Sequence, residues 1–118
     1  MPTLEEKILV VEDYGPLRDV IVDTLTRSGY TEITAVEGEE GIGALVDANG
    51  DFALVITGRL DVLEFTAREY LQVKKLLLVG IEEEGEEVIG EGTANAYLLK
   101  PFDIDDLAGM VADLLNDI

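Results

Sequence analysis

Phe52 to Ile56 is apolar at every position, inside the stretch Asp51-Phe-Ala-Leu-Val-Ile-Thr-Gly58. A strand with one wet face alternates apolar and polar residues. An unbroken apolar run of this length suits a strand covered on both faces of a parallel sheet. Lys7 to Val11 and Leu76 to Val79 read the same way, and Thr31 to Val36 and Ala96 to Leu99 are shorter candidates. Segments with apolar residues at helical spacing separate these runs. Leu17, Val20, Ile21 and Leu25 form the first such stripe, opened by Tyr14-Gly15-Pro16 and closed by Gly29. Residues 38 to 49 form the second, with Ile42, Leu45 and Val46 inward, and Asn49-Gly50 turns the chain into the Asp51–Gly58 strand. Leu60, Leu63, Ala67 and Leu71 form the third. Residues 82 to 92 hold six glutamates and three glycines around Val88 and Ile89, a weak fourth helix because like charges at close helical spacing oppose it. Asp103 caps the last helix, with Leu107, Met110 or Val111, Leu114 and Leu115 inward. Five strands alternating with five helices predict an α/β fold with a doubly wound parallel sheet.

At 118 residues the chain suits one domain, residues 1–118, and any output domain is expected to lie outside it. It contains no cysteine and no histidine, which excludes disulfides, thiolate metal sites and the commonest general base. Residues 1–7 are acidic and lack a long apolar run, so no secretory signal is expected. No apolar run approaches the length of a membrane span. The expected location is the cytoplasm. The net charge is −18, from 26 acidic against 8 basic residues. Nucleic acid is a poor partner, because phosphate backbones are held by Lys and Arg. Three readings of the charge stay open: a self-repelling soluble surface, adaptation to high salt, or docking to a basic protein. The first is adopted here.

In an open α/β sheet, ligands collect at the carboxyl ends of the strands. Glu12 and Asp13 follow the first strand, Gly58 ends the third, Gly80 ends the fourth, and Lys100-Pro101 ends the fifth. This pattern resembles the receiver domain of two-component response regulators. Ile8-Leu-Val-Val-Glu-Asp13 resembles the family's opening strand with its acidic pair, and Leu54-Val-Ile-Thr57 its phosphoacceptor strand. Gly92 through Tyr97-Leu-Leu-Lys-Pro-Phe102, followed by Asp103 and Leu107, resembles its closing signature. The resemblance runs from Lys7 to Leu115 and is weakest from Arg59 to Gly90. It implies a flavodoxin-like, three-layer sandwich whose parallel strands run in the order 2-1-3-4-5. It also implies a cis bond before Pro101, a geometry that has a low prior from sequence alone.

In that family two acids bind Mg²⁺ beside an aspartate that accepts phosphate from a histidine kinase. A lysine pairs with the phosphoryl group, and a hydroxyl residue and an aromatic residue relay the change. By resemblance, Glu12 and Asp13 match the acids, Lys100 the lysine and Tyr97 the aromatic switch. Gly58 stands at the phosphoacceptor position and Gly80 at the hydroxyl position, so both groups are lost. Arg59-Leu60 is all that separates Gly58 from Asp61, and the usual proline-containing turn is missing. An acyl phosphate needs a carboxylate nucleophile, and glycine has none. Magnesium wants several fixed oxygens, so Glu12 and Asp13 alone are expected to bind it weakly and no cofactor is required. Both glycines have a second reading, close backbone packing near strand ends. Lys100 is expected to form a structural ion pair with Glu12 or Asp13.

The expectation is therefore a pseudo-receiver, not an enzyme: a phosphorylation-independent module that binds a protein partner. The resemblance implies the surface of the fourth helix, fifth strand and fifth helix for that contact, and leaves a homodimer open. The alternative is an active phosphorelay receiver with its chemistry relocated to Asp61 and a weak Mg²⁺ site. A small-ligand binder at the glycine-lined edge is disfavoured, because no phosphate-binding glycine fingerprint is present.

Overall fold

The computed structural model describes residues 6–116. The amino-terminal residues that bear on a leader segment lie largely outside the described residues. Five parallel strands are arranged in the order β2-β1-β3-β4-β5. They are β1 (Ile8–Val11), β2 (Ile33–Val36), β3 (Leu54–Thr57), β4 (Lys74–Val79) and β5 (Ala96–Leu99). The helices α1 (Gly15–Arg27), α2 (Gly38–Asp47), α3 (Leu60–Glu69), α4 (Glu82–Gly90) and α5 (Ile104–Asn116) alternate with them.

The unalternating apolar runs are explained by what covers them. Ile8, Val10, Leu54, Ile56, Leu76 and Leu78 point to one face, where Ile21 and Leu25 of α1 and Leu107 and Val111 of α5 pack on them. Leu9, Val11 and Val55 point to the other face, against Leu45 of α2 and Val62 of α3. Leu77 and Val79 continue that second layer towards Leu63 of α3 and Val88 of α4. Each central strand therefore needs apolar residues at odd and even positions alike. The register sets Val10, Ile56 and Leu76 side by side across β1, β3 and β4.

Several sequence expectations need correction. Val20 and Val46 were placed inward, yet both are exposed. Ile21 and Leu25 fill the α1 interface, and Gly41 lets α2 approach Val11 and Val62 closely. In α3 the inward stripe is Val62, Leu63 and Thr66, not Leu60, Ala67 and Leu71; Leu71 lies beyond the helix and is 82% exposed. The two stripes differ because α3 begins at once after a two-residue connection, and Thr66 turns its hydroxyl back to the Val62 carbonyl at 2.7 Å. That hydrogen bond makes a polar residue compatible with burial. β4 is longer than Leu76–Val79 because it includes Lys74 and Lys75. Lys75 is buried, its ammonium donating to the Val73 carbonyl at 2.9 Å, and burial lowers its pKa. The glutamate-rich stretch is a formed helix, α4. Glu82, Glu83 and Glu84 lie in its first turn, where the helix dipole favours negative charge. Two-residue precision at the turn into β3 comes from Asn49 and Gly50, whose φ angles are 53° and 70°. Asparagine and glycine are the residues that tolerate this left-handed region.

Candidate functional site

The parallel register delivers the candidate residues to one edge. Val11 lies beside Thr57, so Glu12 and Gly58 emerge together. Val79 lies beside Leu99, so Gly80 and Lys100 emerge together. The Lys100-Pro101 bond that follows is cis.

Glu12 is buried although it is an acid. Its Oε2 accepts the Tyr14 N–H at 3.0 Å, and its backbone carbonyl accepts from the Arg18 guanidinium at 2.7 Å. Its Oε1 has no hydrogen-bond partner; the Lys100 ammonium stands 3.6 Å away as its counter-charge. Lys100 therefore pairs with Glu12 rather than Asp13. Asp13 is exposed and turns the other way. Its Oδ1 accepts the Gly38 N–H at 2.7 Å, which ties the end of β1 to the start of α2.

Gly58 sits in the notch between these groups. A Cβ added there would lie 3.5 Å from Glu12 Oε1, Lys100 Nζ and the Leu78 carbonyl, which is ordinary contact. A Cβ on Gly80 would meet nothing within 4 Å. Close backbone packing thus explains neither glycine. Both positions would accept a Cβ, and neither carries a side chain. Tyr97 lies on β5 with its ring over Gly85 of α4, where a Cβ would collide with the ring. Desolvation, with the charges of Glu82 and Glu86, raises the Tyr97 pKa and keeps the phenol neutral.

Arg59 was not singled out from the sequence, and it is the most connected side chain of the edge. Its Nε and Nη2 donate to the two carboxylate oxygens of Asp61, each at 3.0 Å, and Nη1 donates to Asp13 Oδ2 at 3.3 Å. Its own N–H donates to Thr57 Oγ1 at 3.0 Å. The hydrogen bonds from Arg59 lower the pKa of Asp61, while Asp61 and then Asp13 raise that of Arg59. The signal in the sequence is spacing: an arginine two residues before an acid, at the start of a helix that follows a two-residue connection.

A divalent metal does not fit this arrangement. Both oxygens of Asp13 are engaged, Glu12 offers one oxygen that already faces an ammonium, and Asp61 is held in the guanidinium fork. Among the described residues no cluster of three or more His, Cys, Asp or Glu is placed to hold a metal ion. Nor is any described helix long and apolar enough to cross a membrane.

No family model matches the chain. It is 34% identical over 109 residues to the chemotaxis protein CheY1 of Helicobacter pylori strain 26695, covering 81% of this chain and 86% of that protein. It is 31% identical over 119 aligned positions to the alkaline phosphatase synthesis transcriptional regulatory protein PhoP of Bacillus subtilis, covering 96% of this chain. This chain spans only 50% of the length of PhoP. Its fold is similar to that of a solved CheY-like response regulator receiver domain from Methanospirillum hungatei. The TM-score is 0.78 at 24% identity, over 96% of this chain and 95% of that one.

Proposed function

The chain belongs to the receiver-domain family of response regulators, and on that premise we propose that it is a pseudo-receiver: a cytoplasmic signalling module that engages a protein partner without being phosphorylated. Gly58 carries this reading. It occupies the end of β3 between Glu12 and Lys100, where a phosphoryl acceptor would stand, and it has no nucleophile. Three further features agree with it. Gly80 has no hydroxyl to grip a phosphoryl oxygen. The oxygens of Asp13 are committed to Gly38 and Arg59. The Tyr97 ring is seated on Gly85 of α4.

The module catalyses nothing of its own and requires no cofactor. Its partner surface is the α4–β5–α5 face, where Ile89 of α4 and Leu99 of β5 are exposed. Pairing of two copies through that face is the other form the interaction takes. Phosphorylation relocated to Asp61 is disfavoured by the fork of Arg59, which holds both Asp61 oxygens and lowers its pKa through charge-assisted hydrogen bonds.

Incubation with a small acyl-phosphate donor and Mg²⁺, followed by intact-mass measurement, tests the reading. The expected result is no added phosphoryl group. A stable phosphoryl adduct that disappears in Asp61→Asn would overturn it in favour of relocated chemistry.

A further inference from the structure

We propose that Arg59 takes the cation's place at this edge: its guanidinium bridges Asp13 and Asp61 and closes the acidic pocket to divalent metal ions. The inference rests on the pseudo-receiver reading and deepens it, because it supplies a positive reason for the loss of metal binding beyond a missing ligand.

The arrangement is built rather than casual. Gly58 and Arg59 are the whole connection between β3 and α3, so residue 59 is delivered to the edge directly. The Thr57 hydroxyl fixes the Arg59 backbone N–H. Gly38 makes room for the stem: a Cβ on Gly38 would collide with the Arg59 side chain and with Asp13. The buried Gly38 also donates its N–H to Asp13, so the same glycine orients the carboxylate that the guanidinium meets. Asp61, in the first turn of α3, holds the fork at two points and accepts the Val62 N–H at 2.9 Å.

Charge and geometry make the exclusion effective. Glu12, Asp13 and Asp61 bring three negative charges, and Arg59, Lys100 and Arg18, which donates to the Glu12 carbonyl, bring three positive ones. A metal would have to displace one of those cations or sit beside it. Magnesium demands near-octahedral oxygen ligands at about 2.0–2.1 Å. The Asp13 oxygen facing the pocket already accepts from a guanidinium that does not lose its proton in proteins. The arginine is thus a permanently charged neighbour of Asp13, with no proton to release when a metal approaches.

The test is a titration with Mn²⁺ of the full chain, following paramagnetic broadening of the amide resonances of Asp13, Gly38 and Gly58. Wild type, Arg59→Ala, Arg59→Gln and Arg68→Ala are compared. In wild type these amides should broaden no earlier than those of the glutamates of α4, which report diffuse attraction to an acidic surface. Arg59→Ala and Arg59→Gln should broaden them selectively at about 10–30-fold lower Mn²⁺, the effect of removing one positive charge next to a divalent ion. Arg68→Ala removes the same charge from the far end of α3, beyond the screening length, and should change the response less than about twofold. Selective, tight broadening at Asp13 in wild type would overturn the inference, as would Arg59 variants that respond no more than Arg68→Ala. Either result leaves the pseudo-receiver reading standing if the phosphodonor adds no mass. A phosphoryl adduct with the predicted Mn²⁺ pattern would overturn that reading alone.

Discussion

Replacing Ile56 with alanine should lower the unfolding free energy by about 2–5 kcal/mol, read as a shift of the urea midpoint at fixed salt. Ile56 is fully buried at the centre of the central strand, between Val10 of β1 and Leu76 of β4. It belongs to the layer beneath α1 and α5, with Ile21, Leu25 and Leu107 in the same cluster. Truncation removes the apolar transfer term and leaves a cavity that two rigid neighbouring strands cannot close. Two strands hold β3 on either side, so backbone relaxation is limited. Leu71→Ala provides the contrast: that leucine is 82% exposed, and its truncation should stay within about 0.5 kcal/mol. A loss below about 1 kcal/mol for Ile56→Ala would show that β3 is not the packed centre of the scaffold.

Replacing Gly85 with valine should cost about 1–3 kcal/mol and expel the Tyr97 ring from its seat. Gly85 is buried on the inward side of α4, and the Tyr97 ring rests against its Cα. A β-branched side chain there leaves no room for the ring, and valine has little helix propensity to offset the clash. The helix must lift or the ring must swing outward past Glu82 and Glu86. Both movements part α4 from β5, the two elements that form the proposed partner face. Tyr97→Ala should suppress most of the cost in a double-mutant cycle, because the two residues share one contact. Gly90→Ala is the control; a Cβ there meets nothing within 4 Å. If Gly85→Val is as stable as wild type and the Tyr97 ring resonances do not move, the seat does not exist.

The sheet was legible because burial on both faces writes itself into every position of a short strand. Leu9, Val10 and Val55, Ile56 leave no polar residue to misread. The strand-end residues were legible for a related reason: a parallel sheet brings strand ends to one edge, so Glu12, Gly58, Gly80 and Lys100 are neighbours by topology. Helix faces were read less well. Val20, Val46 and Leu60 fit a helical stripe by spacing, yet a stripe of hydrophobic residues does not say how far the sheet extends beneath it. Lys75 was missed as a strand residue because its charge hides a buried stem with a local carbonyl partner. The role of Arg59 is not legible in the sequence, because its partners Asp13 and Asp61 are brought to it by the fold. Its meaning depends on Gly38, twenty-one positions earlier in the chain, whose lack of a side chain makes the space the arginine uses. No local pattern carries that pairing.

The glycine amide resonances of the wild-type chain, recorded before and after addition of an acyl-phosphate donor with Mg²⁺, test the central claim most directly. Gly38 reports the Asp13 contact, Gly58 the notch, Gly80 the end of β4 and Gly85 the seat of Tyr97, so one spectrum covers every position where the chemistry is held to be lost. A scaffold retained without its phosphorylation chemistry predicts that these four resonances stay where they were. A concerted shift of Gly58, Gly80 and Gly85 that reverses as the donor is consumed would contradict it.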